Sequence, residues 1–206
     1  MPLCYTYFVW NKAVYGLRIV GGEARGRKLI TPDGLDTRPT ADRVRESIFN
    51  ILRMHVPDAR VLDLFAGSGA MSLEALSRGA QHAVLVEHAR RTADVIARNI
   101  ETMRMQDRTQ LIQADYLASM DRIRGSFDLV FLDPPYRMQD AYAKAALALM
   151  ERALLAEDAV LVMEHGAKMP LQLPDAFEIY DERRYGECAV AFVRIVSNES
   201  DLSGQL

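Results

Sequence analysis

Two short runs carry the residues with chemical capacity. The first is Asp133-Pro134-Pro135-Tyr136. Each proline fixes its own φ and pushes the residue before it toward extended backbone. The Asp133 carboxylate and the Pro134 carbonyl are then two acceptors facing one point. An exocyclic amino group on a planar ring has two N–H donors and a lone pair delocalised into the ring. Two fixed acceptors bind those hydrogens and favour the pyramidal, nucleophilic nitrogen, and their hold strengthens as positive charge develops there. Tyr136 offers a face on which such a base stacks, and a base presented this way has left its own stack.

The second run is residues 61–69, Val-Leu-Asp-Leu-Phe-Ala-Gly-Ser-Gly, followed by helical spacing of apolar positions over 70–76. It reads as a buried strand, a tight turn and a helix start. Gly67 and Gly69 allow positive φ and a ligand close to the main chain, and the helix presents free N–H groups and a positive end. A dinucleotide site calls for Gly-x-Gly-x-x-Gly. Here the third glycine position is Ser72, and Asp63, four residues before Gly67, would repel a pyrophosphate. A ligand with an ammonium group and no phosphate fits better, and S-adenosylmethionine is such a molecule. Phe65, Ala66, Gly67, Ser68 and Gly69 would line it, with Asp63 and Asp133 beside it. Glu87, about one βα unit further on, can hold both hydroxyls of a ribose, and Asp115 can accept from an adenine amino group. Alone, each acid reads equally as a helix N-cap or a solvated strand end. The implied reaction is in-line methyl transfer from sulfonium to amine, which needs alignment but neither a metal nor a covalent intermediate.

These groups need a frame that gathers strand ends. Buried strands are expected over 83–87, 110–115, 127–132 and 159–163, with helices over 90–104 and 141–155. Residues 177–180 and 189–196 complete the sheet through a hairpin at Gly186. Strands alternating with helices imply a mainly parallel seven-stranded α/β sheet covered by helices on both faces, whose ligands gather at the carboxyl ends of the strands. Asp63, Glu87, Asp115 and Asp133 all fall at or near such ends.

The 206 residues, half of them apolar, suffice for one sizeable core with a small appendage. Net charge is −3, so the whole chain is no blanket polyanion binder. The charge is unevenly placed: residues 18–53 hold 8 Lys or Arg against 5 Asp or Glu, while residues 54–206 hold 16 against 23. A basic arm on an acidic body marks where a phosphate backbone would dock. Within that arm, residues 18–22 and 25–30 read as a hairpin with Arg18, Arg25, Arg27 and Lys28 around its turn. Thr40 is placed to cap a helix with Val44, Ile48, Ile51 and Leu52 on one stripe, leaving Arg43 and Glu46 off it. Cys4 and Cys188 form no disulfide or metal framework and suit a reducing cytoplasm. The four histidines have no metal-ligand spacing, and no apolar run reaches the length of a membrane span. Residues 1–17 lack the charged start and cleavage site of a signal peptide and read as a dispensable extension; residues 197–206 read as a polar tail.

The residues 63–69 and 133–136 together resemble the class I S-adenosylmethionine-dependent amino-methyltransferases. Arg18-Ile-Val-Gly-Gly22, Arg25-Gly-Arg27 and Arg38-Pro-Thr-Ala-Asp-Arg-Val-Arg-Glu46 with Phe49-Asn50 resemble the RsmD family, bacterial enzymes that methylate the N2 amino group of a guanine in small-subunit (16S) ribosomal RNA. The resemblance runs over residues 18–196. It implies a Rossmann-like methyltransferase fold over 54–196 with an N-terminal RNA-facing hairpin and helix over 18–53. It also implies that Arg38, Thr40, Arg43 and Glu46 help close the site over cofactor and base. The expected partner is small-subunit rRNA or the assembled subunit, met by a monomer. A DNA adenine-N6 enzyme would need a target-recognition domain for which there is little room. Protein glutamine methyltransferases favour Asn at the position of Asp133. A non-enzymatic RNA-binding module would have no use for the complete Asp-Pro-Pro-Tyr, and an NAD enzyme would want glycine in place of Ser72.

Overall fold

A computed structural model of the chain describes residues 16–31, 39–135 and 137–196. Seven strands form one sheet: β1 Arg60–Asp63, β2 His82–Glu87, β3 Thr109–Gln113, β4 Phe127–Leu132, β5 Leu155–Gly166, β6 Phe177–Tyr185 and β7 Cys188–Ile195. Their order is β3-β2-β1-β4-β5-β7-β6. The first five run parallel, and β7 lies antiparallel between β5 and β6. The helices are α1 Pro39–Ile51, α2 Ala70–Ser77, α3 Arg90–Met103, α4 Tyr116–Ser119 and α5 Ala141–Glu151. This is a Rossmann-like α/β fold, mostly parallel with one antiparallel end.

Alternation along the strands sends side chains to two cores. Val61, Leu129, Phe131, Val160 and Val162 face the layer of α1, α2 and α3, with Ile48, Phe49, Leu73, Leu76, Ile96 and Ile100. Leu62, Val130, Leu132, Leu161 and Met163 face α4 and α5, with Tyr116, Tyr142, Ala145 and Leu149. Each such fully buried aliphatic side chain contributes roughly 1.5–3 kcal/mol. β1 and β4 are the neighbours at which the strand order turns back, so their carboxyl ends open the crevice where ligands of such sheets bind.

Four expectations shift. α5 ends at Glu151 rather than 155, because the chain breaks through Ala153 at φ +51° and β5 begins at once. β5 therefore runs from Leu155 instead of 159, with a register irregularity against β4 between Phe127 and Leu129. The expected hairpin is reduced to a single antiparallel bridge, Arg18 with Lys28. Main-chain bonds still tie its arms, from Ile19 N–H to the Arg27 carbonyl (3.0 Å) and from Gly26 N–H to the Ile19 carbonyl (2.8 Å), while its turn is held on α2: Val20 N–H donates to Glu74 Oε2 (2.8 Å), Ala24 N–H to Ser77 Oγ (2.9 Å) and Glu23 N–H to the Ser77 carbonyl (2.7 Å). Gly22, at φ +73°, lies so close to α2 that a Cβ there would sit 1.8 Å from the Ser77 carbonyl oxygen. The last shift is at Leu17, assigned to the extension: it is buried, and its carbonyl accepts from Leu29 N–H. Residues 1–15 and 197–206 lie outside the described residues. Among the described residues, no helix is long and apolar enough to cross a membrane.

Candidate active site

Sheet order turns the scattered acids into a row. Reading across the carboxyl edge, Asp115 follows β3, Glu87 ends β2, Asp63 ends β1 and Asp133 follows β4. Asp63 is 3% exposed, and its Oδ2 accepts from Ser72 Oγ at 3.0 Å. Burial pushes its carboxyl up to about 7, with Glu87 adding to the rise, while the Ser72 hydroxyl and a Phe65 backbone bond oppose it. Ser72, the residue that breaks the dinucleotide glycine pattern, is thus the one that orients Asp63. A buried acid so poised favours a cation beside it.

The turn after β1 has the shape expected of it. Gly67 sits at φ +55° and donates its N–H to Glu87 Oε2 at 3.1 Å. Gly69 sits at φ +78° as the N-cap of α2, and a Cβ there would press on Leu85 at 3.3 Å and Ile96 at 3.4 Å. Ala66 continues the β1 pairing through its N–H to the Val86 carbonyl, and the Ser68 carbonyl accepts from Asn99 Nδ2 at 2.9 Å. Phe65 leans to the other face against Tyr116, with ring centroids 5.0 Å apart. Glu87 also accepts Ala89 N–H on Oε1 (2.8 Å), so both its oxygens brace the loop. Asp115 is exposed two residues past β3, where its Oδ1 caps α4 by accepting from Leu117 and Ala118 N–H. The capping reading holds for Asp115, and its second oxygen remains available to a ligand.

Asp133 comes directly after β4, followed by buried Pro134 and exposed Pro135, whose carbonyl takes Met138 N–H at 2.7 Å. Part of Asp133 is open to solvent at the rim. The protein around its carboxyl nevertheless strips most of its hydration, and with Glu164 and Asp63 nearby its pKa is raised well above the ordinary value. Glu164 lies near the end of β5, where Leu132 pairs with Met163, so it stands beside Asp133 across the two strands. Its Oε1 accepts from Cys188 Sγ at 3.1 Å. Burial and the Glu164 charge push the Cys188 thiol up, so it stays a thiol. Tyr136 lies outside the described residues.

The basic side chains gather on the same layer as α1. Arg18, Arg25, Arg43 and Glu46 line one cleft together with Ile19, Val20, Gly26 and Asp42. Lys28 is exposed, and Arg27, also exposed, donates Nη1 to the Met103 carbonyl at 3.3 Å. Thr40 falls inside α1 rather than before it, since the helix starts at Pro39, a residue suited to a first helical position. Arg38 lies outside the described residues. α1 rests on the sheet beside the acids: Phe49 packs on Phe131 (centroids 6.0 Å apart), and Ser47 Oγ is 2.7 Å from Tyr185 Oη.

What the sequence reading passed over is the clamp beneath this face. Arg45, 4% exposed, reaches Asp42 Oδ1 (2.9 Å), the Arg18 carbonyl and Glu74 Oε2 (3.4 Å). Glu74 is fully buried and also takes Arg78 Nε at 2.7 Å. A lone acid within the apolar run Leu73-Glu74-Ala75-Leu76 was the available signal, because a buried charge must find partners. Among the described residues, no group of three or more His, Cys, Asp or Glu could hold a metal ion.

A family model described as Conserved hypothetical protein 95 matches residues 17–194. Ribosomal RNA small subunit methyltransferase D of Escherichia coli (strain K12) is 35% identical over 187 residues, covering 90% of this chain and 93% of that protein. The solved structure of yhhF from Escherichia coli superposes with a TM-score of 0.76 at 31% identity, covering 88% of this chain and 98% of that one. SMU.776, solved in complex with SAH, shares the fold at 17% identity and a TM-score of 0.59, covering 77% of this chain and 50% of that one.

Proposed function

The chain belongs to the ribosomal RNA small subunit methyltransferase D (RsmD) family, and from that membership we propose that it methylates the N2 amino group of one guanine in 16S rRNA with S-adenosylmethionine. That cofactor, when bound, supplies an electrophilic methyl group on a sulfonium sulfur. The residues fit it: Gly67 and Gly69 leave the main chain accessible, and Asp63 is a buried carboxyl whose ionisation a cation would favour. Phe65, Ala66 and Ser68 complete the turn. Glu87 takes the ribose hydroxyls with lone pairs beyond its two main-chain bonds, and Asp115 takes the adenine amino group on its non-capping oxygen. SMU.776, with the same fold, was solved with SAH.

Asp133 and the Pro134 carbonyl hold the hydrogens of the acceptor nitrogen, and Tyr136 stacks on the base. Arg18, Arg25, Arg27, Lys28, Arg38 and Arg43 meet RNA phosphates, while Thr40 and Glu46 close over the pocket. Residues 18–53 are thus the RNA-facing part and residues 54–196 the catalytic part of a cytoplasmic, monomeric enzyme whose substrate is the free RNA or the assembled small subunit. The carrying observation is that Asp63 ends β1 and Asp133 follows β4, neighbouring strands at the turning point of the sheet.

The test incubates labelled S-adenosylmethionine with small ribosomal subunits, and separately with their free RNA, from a strain without an enzyme of this type. Digestion should yield N2-methylguanosine at one position, and Asp133→Ala should abolish transfer while retaining cofactor binding. Label in DNA adenine or in protein glutamine would overturn the target; full turnover by Asp133→Ala would overturn the role of that residue.

A further inference from the structure

Glu164 has no part in the reading above, yet the fold delivers it to the acceptor nitrogen. Alternation along β5 puts Val160 and Val162 on the α1 layer, which carries Glu164 to the same face. The equivalent alternation carries Asp63 there from Val61, and Asp133 there from Leu129 and Phe131. Three carboxyl groups therefore stand side by side on β1, β4 and β5, with strands about 4.8 Å apart. Glu164 is half-buried, and the Cys188 thiol fixes it by donating to Oε1. A structural acid on a sheet rim would turn to an arginine or a helix end. This one lies beside another acid, and the neutral thiol beside it offers no compensating charge.

Two adjacent carboxylates repel unless one takes up a proton or something between them donates hydrogen bonds to both. The Watson–Crick edge of guanine does so, since N1–H and the N2 amino group are neighbouring donors. Adenine places a bare N1 acceptor beside its amino group, and that lone pair would meet a carboxylate. We propose that Glu164 is the specificity residue of the acceptor pocket, taking the guanine N1–H while Asp133 and Pro134 hold the N2 hydrogens. The inference rests on the guanine-N2 reading and adds the group that rejects other amino-bearing bases. A pocket built to bond a donor discriminates strongly against an analogue without it, because its own buried acceptor is left unpaired.

The experiment uses small-subunit RNA joined by splinted ligation, carrying either guanine or 2-aminopurine at the position the wild type methylates. 2-Aminopurine keeps the N2 amino group but has no hydrogen on N1. The wild type should prefer guanine by at least about 100-fold in kcat/KM, and Glu164→Gln should lower guanine transfer by about 10- to 100-fold. The glutamine amide can donate to the bare N1, so the preference should narrow by at least about tenfold in the variant. Cofactor affinity, measured on both proteins, should match, and the melting temperature of Glu164→Gln should be no lower than that of the wild type, since the substitution relieves the repulsion with Asp133. Transfer to 2-aminopurine within about threefold of guanine by the wild type would overturn the proposal without recourse to any variant. So would an unchanged preference in a folded Glu164→Gln. Absence of wild-type transfer to any guanine, with cofactor bound, would instead refute the guanine-N2 reading on which the proposal rests.

Discussion

Asp63 should make the protein less stable as pH rises from about 4 to about 7, and should couple cofactor binding to proton release. Its carboxyl titrates near 3.8 when unfolded and at about 7 in the folded chain, chiefly because burial removes its hydration. Between these values the folded state holds a proton that the unfolded state has lost, so stability falls with pH across that window. Below it both states are protonated and no penalty exists; above about pH 7 the penalty is complete. A shift of about three units corresponds to about 4 kcal/mol. Asp63→Asn keeps the shape and an acceptor for Ser72 Oγ but removes the titration. Part of the rise at Asp133 comes from Asp63, so the substitution relieves that too, with the same sign.

Urea unfolding of both proteins from about pH 4 to pH 8 should therefore show the wild type losing up to about 4 kcal/mol relative to Asp63→Asn. Cofactor binding supplies a second reading. A cation beside Asp63 lowers its pKa, so at pH 7 binding should release about half a proton from a group half-protonated beforehand. Calorimetry in buffers of different ionisation enthalpy measures that number. Parallel stability profiles, or equal proton release by wild type and Asp63→Asn, would refute the assignment of Asp63 as a buried carboxyl facing the cofactor cation.

Gly69→Ala places a Cβ at φ +78° and 3.3 Å from Leu85; it should cost about 1–3 kcal/mol in urea unfolding and weaken cofactor binding in calorimetry. Arg45→Met strips one arginine from fully buried Glu74 and should cost about 3 kcal/mol, whereas Arg45→Met combined with Glu74→Met should cost less, because Arg78 is partly exposed and can turn to solvent. Urea midpoints of the two variants decide this, and a double variant worse than the single would contradict it. Asp115→Ala should lose about 1 kcal/mol through the α4 cap, which Asp115→Ser restores. Cofactor affinity that stays low in the restored serine variant marks a ligand role separate from capping.

The parts of this site that were legible from sequence share one property: each is a local pattern. Apolar runs ending in an acid gave the strands, and because parallel strands are buried on both faces their ends stand out as the first polar residue. Asp63, Glu87 and Asp133 were found that way, and the glycine turn and the two prolines fixed the local backbone around them. Partners far apart in sequence were not legible. Arg45 and Glu74 lie in separate helices, and only the packing of α1 on α2 joins them. Ser72 was read by what it is not, a missing glycine, because its bond to Asp63 needs the helix to turn back over the strand.

Glu164 fell just past the outline of its strand and carried no motif at all. Its significance appears only in the order β1-β4-β5, which places three acids abreast on one face. A row of carboxyl groups is costly to build without a ligand that donates hydrogens. Asp63 answers to a cation, and the Asp133–Glu164 pair to an edge with adjacent donors. Guanine has that edge and adenine does not. Substrate choice then resides in a residue one strand away from the catalytic motif, which explains why that motif alone is compatible with several acceptors.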